Sequence, residues 1–243
     1  AYIKKYAAML AAQPYPLGLA ARLIVETDGG VFGTVKGADL ANLGEAEVEK
    51  LPLSVLPKGR QGIRSIVISQ TPACQEWLRR GQALFPALDD MAQVIGTRAA
   101  VIDARGGLRK AVPQLVRIMR ANAGCFVVIG HAADGSCLGY TLTVGRTPYE
   151  AIVAMTVLEK SAEVALLAEK IGSPQPVSAW ECRRMRSIYL KKYSKSEASA
   201  RAAEAAALSA HEDAAIAKTV TGAGAADGNT DLSTANAADT AAR

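Results

Sequence analysis

Apolar positions recur along this chain with two different periods, and the switches between them mark most of its elements. Ile3, Tyr6 and Leu10 stand at helical spacing in a short opening helix, Tyr2 to Ala12, which Pro14 and Pro16 end. From Leu17 the period shortens: Leu19, Ala21, Leu23 and Val25 alternate with small or polar residues. Asp28-Gly29-Gly30 then supplies turn chemistry, and Val31 to Val35 returns as the second arm of a hairpin. Lys36-Gly37-Ala38-Asp39 reads as a second turn, and Glu45 to Lys50 as a short polar helical stretch. Leu51 to Gly62, with Pro52, Pro57 and Gly59, reads as a connection.

Ile63 to Ile68 is apolar, largely β-branched and bounded by turn residues, the pattern of a buried strand. Thr71 as N-cap and Pro72 at the first helical position open a helix that Gly81 stops. Leu108 to Arg120 follows as a helix with Leu108, Val112, Leu115, Val116 and Met119 on one face and Pro113 in its first turn. Cys125 to Ile129 and Leu138 to Val144 are two further strands. The strongest pattern starts at Thr147-Pro148-Tyr149-Glu150, which has capping-box spacing, and continues with Ile152, Met155, Leu158, Ala162 and Leu166 at steps of three or four. Glu159, Lys160, Glu163 and Glu169 interrupt this run as a wet face, and Gly172 with Pro174 ends it. A last helix spans about Ser178 to Tyr193. No run reaches the roughly 18 apolar residues that cross a bilayer.

After Ser194 the composition shifts to Ala, Gly, Asp, Thr and Asn with little to bury, which divides the chain into a folded part, 1–193, and an Ala-rich low-complexity tail, 194–243. The 243 residues are 50% hydrophobic but only 5% aromatic, so one core of Leu, Ile, Val and Ala is expected. Cys74, Cys125, Cys137 and Cys182 form no Cys-x-x-Cys pair, which points to buried free thiols in a reducing compartment. The net charge of +5 and pI near 9.0 are unevenly spread. Arg183, Arg184, Arg186, Lys191, Lys192 and Lys195 fall in a stretch without an acid, which reads either as a solvated helix face or as an interaction surface for protein or anionic lipid. Only Tyr189 and Tyr193 interleave with these cations, too few aromatics for a nucleic-acid platform. Neither Gly-rich turn, Asp28-Gly29-Gly30 or Arg105-Gly106-Gly107, matches a nucleotide-binding fingerprint, and pairing of His131 with Cys125 or Cys137 as a nucleophilic dyad has no orienting motif.

Several stretches, in order, carry a resemblance. Glu26-Thr27-Asp28-Gly29-Gly30-Val31-Phe32 is followed by Lys36-Gly37-Ala38-Asp39-Leu40; then come Ile66 to Pro72, Asp89 to Gly96, Val127 to His131, Val144-Gly145-Arg146-Thr147 and Leu158-Glu159-Lys160-Ser161-Ala162-Glu163. Over residues 1 to 190 this resembles the class II aldolase/adducin family. The resemblance implies an α/β fold, a three-layer α/β/α sandwich around a mixed or mainly antiparallel sheet, with the C-terminal tail appended.

It also implies, for the family, a zinc held by three histidines and a glutamate that moves the proton. Here the strand that would end in His-x-His reads Ile68-Ser69-Gln70-Thr71, and the stretch carrying the glutamate is shortened to Pro57–Gly62. His131 alone matches a ligand position, with Ala133 to Ser136 inserted behind it. Lys36 and Gly37 match the phosphate loop and are the candidate anion-binding remnant. The expectation is therefore a degenerate member with no catalytic residues, metal or cofactor: a structural or scaffold subunit that binds protein subunits of a larger assembly and forms homo-oligomers, as adducin shows the domain persisting in a structural protein. Nucleic acid is not expected as a partner. The start at Ala1 and the basic pI suggest a processed, intracellular protein of a mitochondrial assembly. The competing readings are a metal-dependent sugar-phosphate aldolase or epimerase completed by a partner subunit or by residues such as Asp134, and a small-molecule sensor in the vacated pocket.

Overall fold

The structure, a computed structural model, describes residues 1–56, 62–172 and 174–192; the expected tail, Lys195 and most of the shortened connection lie outside them. Residues Ala1–Lys191 make one compact unit. Its elements run α1 (Tyr2–Ala11), β1 (Arg22–Thr27), β2 (Gly30–Thr34), β3 (Val48–Leu51), β4 (Ser65–Ser69), α2 (Pro72–Arg79), α3 (Asp89–Val94), β5 (Ala100–Asp103), α4 (Leu108–Met119), β6 (Gly124–His131), β7 (Cys137–Gly145) and α5 (Pro148–Ile171), and close with α6, residues 179–192. The strands form one mixed sheet in the order β3-β2-β1-β4-β7-β6-β5. Every neighbouring pair is antiparallel except β5 and β6, which are parallel and joined by the α4 crossover. The layered α/β architecture expected from the sequence is the one observed.

Both faces of the central strands are covered. Along β1, Leu23 and Val25 enter a core with Tyr6 and Leu10 of α1 and Ile152 and Met155 of α5, while Ile24 enters a second core on the other side. In β4, Val67 joins the first and Ile66 the second, as the period of two requires. The second core is the larger and holds Phe126, Leu78, Met91, Ile102, Met119 and Leu158, all essentially inaccessible. No helix among the described residues is long and apolar enough to cross a membrane.

Several local expectations change. Residues 48–51 are a strand, because Val48 to Leu51 extend the hairpin by pairing with Thr34 to Val31. The strand β5 had no sequence signal beyond its short apolar run. Pro113 sits in the second turn of α4, which opens at Gly107 (φ 102), and the buried face is Ala111, Ile118 and Met119 with Leu115 half-buried beside them; Leu108 and Val112 are exposed. At α5 the capping box is half formed. Thr147 Oγ1 accepts from the Glu150 amide at 3.1 Å, but the Glu150 carboxylate turns to the Arg146 amide, 2.7 Å away, and to the Arg146 guanidinium.

Candidate functional site

The end of β4 and the turn into α2 bring Ser69, Gln70 and Thr71 to the middle of the sheet. Ser69 and Thr141 are opposed across β4 and β7, and their hydroxyls lie 2.7 Å apart. Thr141 Oγ1 also donates to the Ser69 carbonyl at 3.0 Å, so this pair is closed on itself and fully buried. Gln70 is held from both sides: Nε2 donates to the Gly139 carbonyl (3.0 Å) and Oε1 accepts from the Ala20 amide (3.2 Å). The Gln70 amide donates to the Leu17 carbonyl at 2.6 Å, so the segment 17–20 lies as a cover over this point. Gly18 permits the approach: its φ of 78° is a left-handed one, and a Cβ there would stand 2.6 Å from Gln70 Cβ. Ile68, half-buried, packs against the larger core.

Thr71 precedes α2 but does not cap it. The cap comes from Glu159 of α5, whose two carboxylate oxygens accept from the amides of Ala73 (2.8 Å) and Cys74 (2.9 Å). Glu159 is therefore not on the wet face of α5 but buried within its apolar stripe, between Met155 and Ala162; Lys160, Glu163 and Glu169 are exposed. A negative group at the open amides of a helix start is favourable on two counts, hydrogen bonding and the helix dipole. Burial pushes the neighbouring Cys74 thiol well up, and raises the Tyr15 phenol as well, so both are neutral at neutral pH. Sequence reading missed Glu159; the available signal was an acid at a position of the stripe.

His131 is elsewhere. It ends β6 opposite Cys137, four residues along β7 from Thr141, or roughly 13 Å at strand spacing. Its Nδ1 stands 3.2 Å from the Arg105 guanidinium, which pairs with Asp103 at 2.6 Å. Arg105 holds the Asp103 carboxyl far below the usual carboxylate range. Cys137, half-exposed, shares the His131 rung; Cys125 is buried in the other direction of the strand and its thiol is pushed up by desolvation. Asp134 caps the β6–β7 turn by accepting from the Ser136 amide at 2.9 Å, which keeps its pKa low.

In the loop after β2, Lys36 and Gly37 are exposed, and the amides that follow already have anions. Asp39 accepts from the Ala41 and Asn42 amides, and Glu47 from those of Asp39 and Gly44. Of the basic block, Arg183, Arg184, Lys191 and Lys192 are exposed, Arg184 lying over the Trp180 ring. Arg186 is not a surface residue. It is buried, donates to the carbonyls of Gln93 (3.2 Å) and Val94, and ties α6 to the end of α3. Desolvation lowers its pKa to about 10, which leaves it charged at neutral pH.

No protein-family model matches the sequence, and no curated protein matches it. Solved structures do. An L-fuculose 1-phosphate aldolase aligns over 77% of this chain and 93% of its own, with 17% identity and a TM-score of 0.64. The chain carries the class II aldolase fold. The L-fuculose-1-phosphate aldolase of Thermus thermophilus aligns over 73% of this chain and 97% of its own at 19% identity and TM-score 0.57. An aldolase II superfamily protein of Pseudomonas syringae aligns over 77% and 83% at 12% and 0.52.

A catalytic zinc on this fold would need three or four nitrogen, sulfur or carboxylate donors around one point. The residues present do not fit one. Ser69, Gln70 and Thr71 are poor donors, the first two have their polar atoms engaged by the chain itself, and His131 lies several rungs away beside a guanidinium. Among the described residues no three His, Cys, Asp or Glu side chains converge.

Proposed function

We infer that this chain is a non-catalytic class II aldolase-like subunit that serves as a scaffold in a larger protein assembly. The observation that carries this reading is the closure of the Ser69–Gln70–Thr71 corner. Where a hydroxy-carbonyl substrate and a cation would have to meet, the polar atoms of Ser69 and Gln70 are paired with Thr141, Gly139 and Ala20. Opening it would break several buried hydrogen bonds, each worth about 1 kcal/mol net and more when left unmade. A fold kept while its pocket is closed retains its surfaces, and the exposed cations of α6 are the most distinctive of these.

The reading places the protein inside cells, in a mitochondrial assembly, with the tail from 194 onward as a second contact element. Elemental analysis of the purified full chain tests it. Zinc, manganese, iron and cobalt well below one equivalent, together with no retro-aldol cleavage of sugar 1-phosphates in added zinc, is the expected result; one tightly held equivalent that supports cleavage would overturn it.

A further inference from the structure

Between α4 and α6 a groove of about 1440 Å³ runs over the sheet edge at β5. Its floor includes Ala100 and Val101. Arg98, Arg117, Arg183, Arg186 and Lys191 stand around it, and among the described residues its lining contains no Asp or Glu. Five cations on α4, α6 and the segment before β5, without one acid among the described residues, are not the mixed charge of an ordinary solvated face. Arg186 is fixed from beneath by the Gln93 and Val94 carbonyls, so the positive wall has a rigid base. At one end the rings of Phe85 and Pro176 continue into a second, apolar cavity of about 420 Å³ beside Trp77 and Pro174.

The floor is also chemically incomplete. Among the described residues β5 ends the sheet: it pairs with β6 on one side, and on the other a single bridge, Leu84 with Ala99, reaches the residue before it. An open strand edge presents main-chain donors and acceptors to any extended segment. Such an edge under cationic walls selects an extended segment whose side chains alternate between apolar and acidic.

We propose that this groove is a docking site for an acidic, extended peptide segment of a partner protein, which adds as a strand to β5 while its carboxylates meet Arg98, Arg117 and Arg183. The wall along 178–191 is about 20 Å long at the helical rise, which matches a strand of roughly six residues. Nucleic acid fits less well, because among the described residues Phe85 is the one aromatic ring lining the groove, which offers no row of rings on which bases could stack. The inference gives the scaffold reading a partner class and rests on it. The two fail separately, since metal content tests that reading without touching this groove.

The test uses the full chain and fluorescence anisotropy with an eight-residue fluorescein-labelled peptide of alternating valine and glutamate. Three controls accompany it: the valine–lysine peptide, the valine–glutamate peptide with alternate amides N-methylated, and a thymidine octanucleotide. The valine–glutamate peptide is expected to bind, to weaken at least tenfold on N-methylation and steeply with salt, and the lysine peptide not to bind. The R117E/R183E variant, both sites exposed and its fold checked by thermal melt, is expected to lose at least tenfold in affinity for the peptide. No binding, equal binding of the N-methylated peptide, tighter binding of the octanucleotide, or an unchanged Kd for a folded R117E/R183E variant each overturns the proposal.

Discussion

The carboxylate of Glu159 on α5 holds the amide of Cys74, 85 residues earlier in the chain, at 2.9 Å, and thereby fixes the start of α2 against α5. This contact sits behind the closed corner of the sheet, beside Tyr15 and Thr71.

Removing it leaves two buried amides without an acceptor. Glu159→Ala is expected to cost about 2–4 kcal/mol, from charge-assisted hydrogen bonds lost and donors stranded. Glu159→Gln, which keeps one oxygen, costs about half as much. Urea unfolding of the two variants checks the order; equal stability of Glu159→Ala and the parent would remove the capping role.

The four cysteines should separate by access rather than by sequence. Cys137 is half-exposed, whereas Cys74, Cys125 and Cys182 are buried with thiols pushed up by desolvation, so they stay protonated and shielded. Mass spectrometry after brief maleimide treatment at pH 7.5 should find one label, on Cys137, and four after denaturation. Early labelling of Cys74 would contradict the packing of α2.

Gly139 passes so close to β6 that an added Cβ would stand 1.9 Å from the Val127 carbonyl oxygen. Both are backbone-fixed, so Gly139→Ala must part the two strands. A loss of at least about 3 kcal/mol, or failure to accumulate as soluble protein, is the expected result. A Gly139→Ala protein melting within a few degrees of the parent would show that the hairpin has slack.

Arg186 binds α6 through two carbonyls of the α3 end. Arg186→Ala is expected to free the helix without unfolding the sheet: amide exchange over 179–192 should rise by tenfold or more, while β4, β6 and β7 keep their protection. Arg186→Lys restores charge but not the two-pronged geometry and recovers this only in part. Uniform exchange in all three proteins would place the anchor elsewhere.

Much of this was legible from local pattern. The hairpin at Asp28-Gly29, the strands around Ile66, Val127 and Leu142, and the long α5 follow from period, turn chemistry and the Thr147-Pro148 start. What stayed hidden depended on distant partners. Val48 to Leu51 became a strand only because β2 offered an edge, and four residues of β5 were too few to show a period. The inward face of α4 was set by the sheet below it rather than by its most apolar residues. At the site, Ser69 and Gln70 were identified as positions, but their engagement by Thr141, Gly139 and the 17–20 cover joins residues about 50 to 70 apart, which no window along the chain connects. The basic block read as one surface, yet burial divided it, with Arg186 below and Arg183, Arg184, Lys191 and Lys192 above.

The bulge between Val128 and Gly130 has a wider consequence for how such chains are compared. Ile129 is one residue too many for its partner strand, so everything after it arrives on the opposite side from where simple counting would put it. Two proteins can thus spell a histidine at the same letter of the same strand and deliver it to different rooms of the same building. For His131, the address is written in rungs, not in letters.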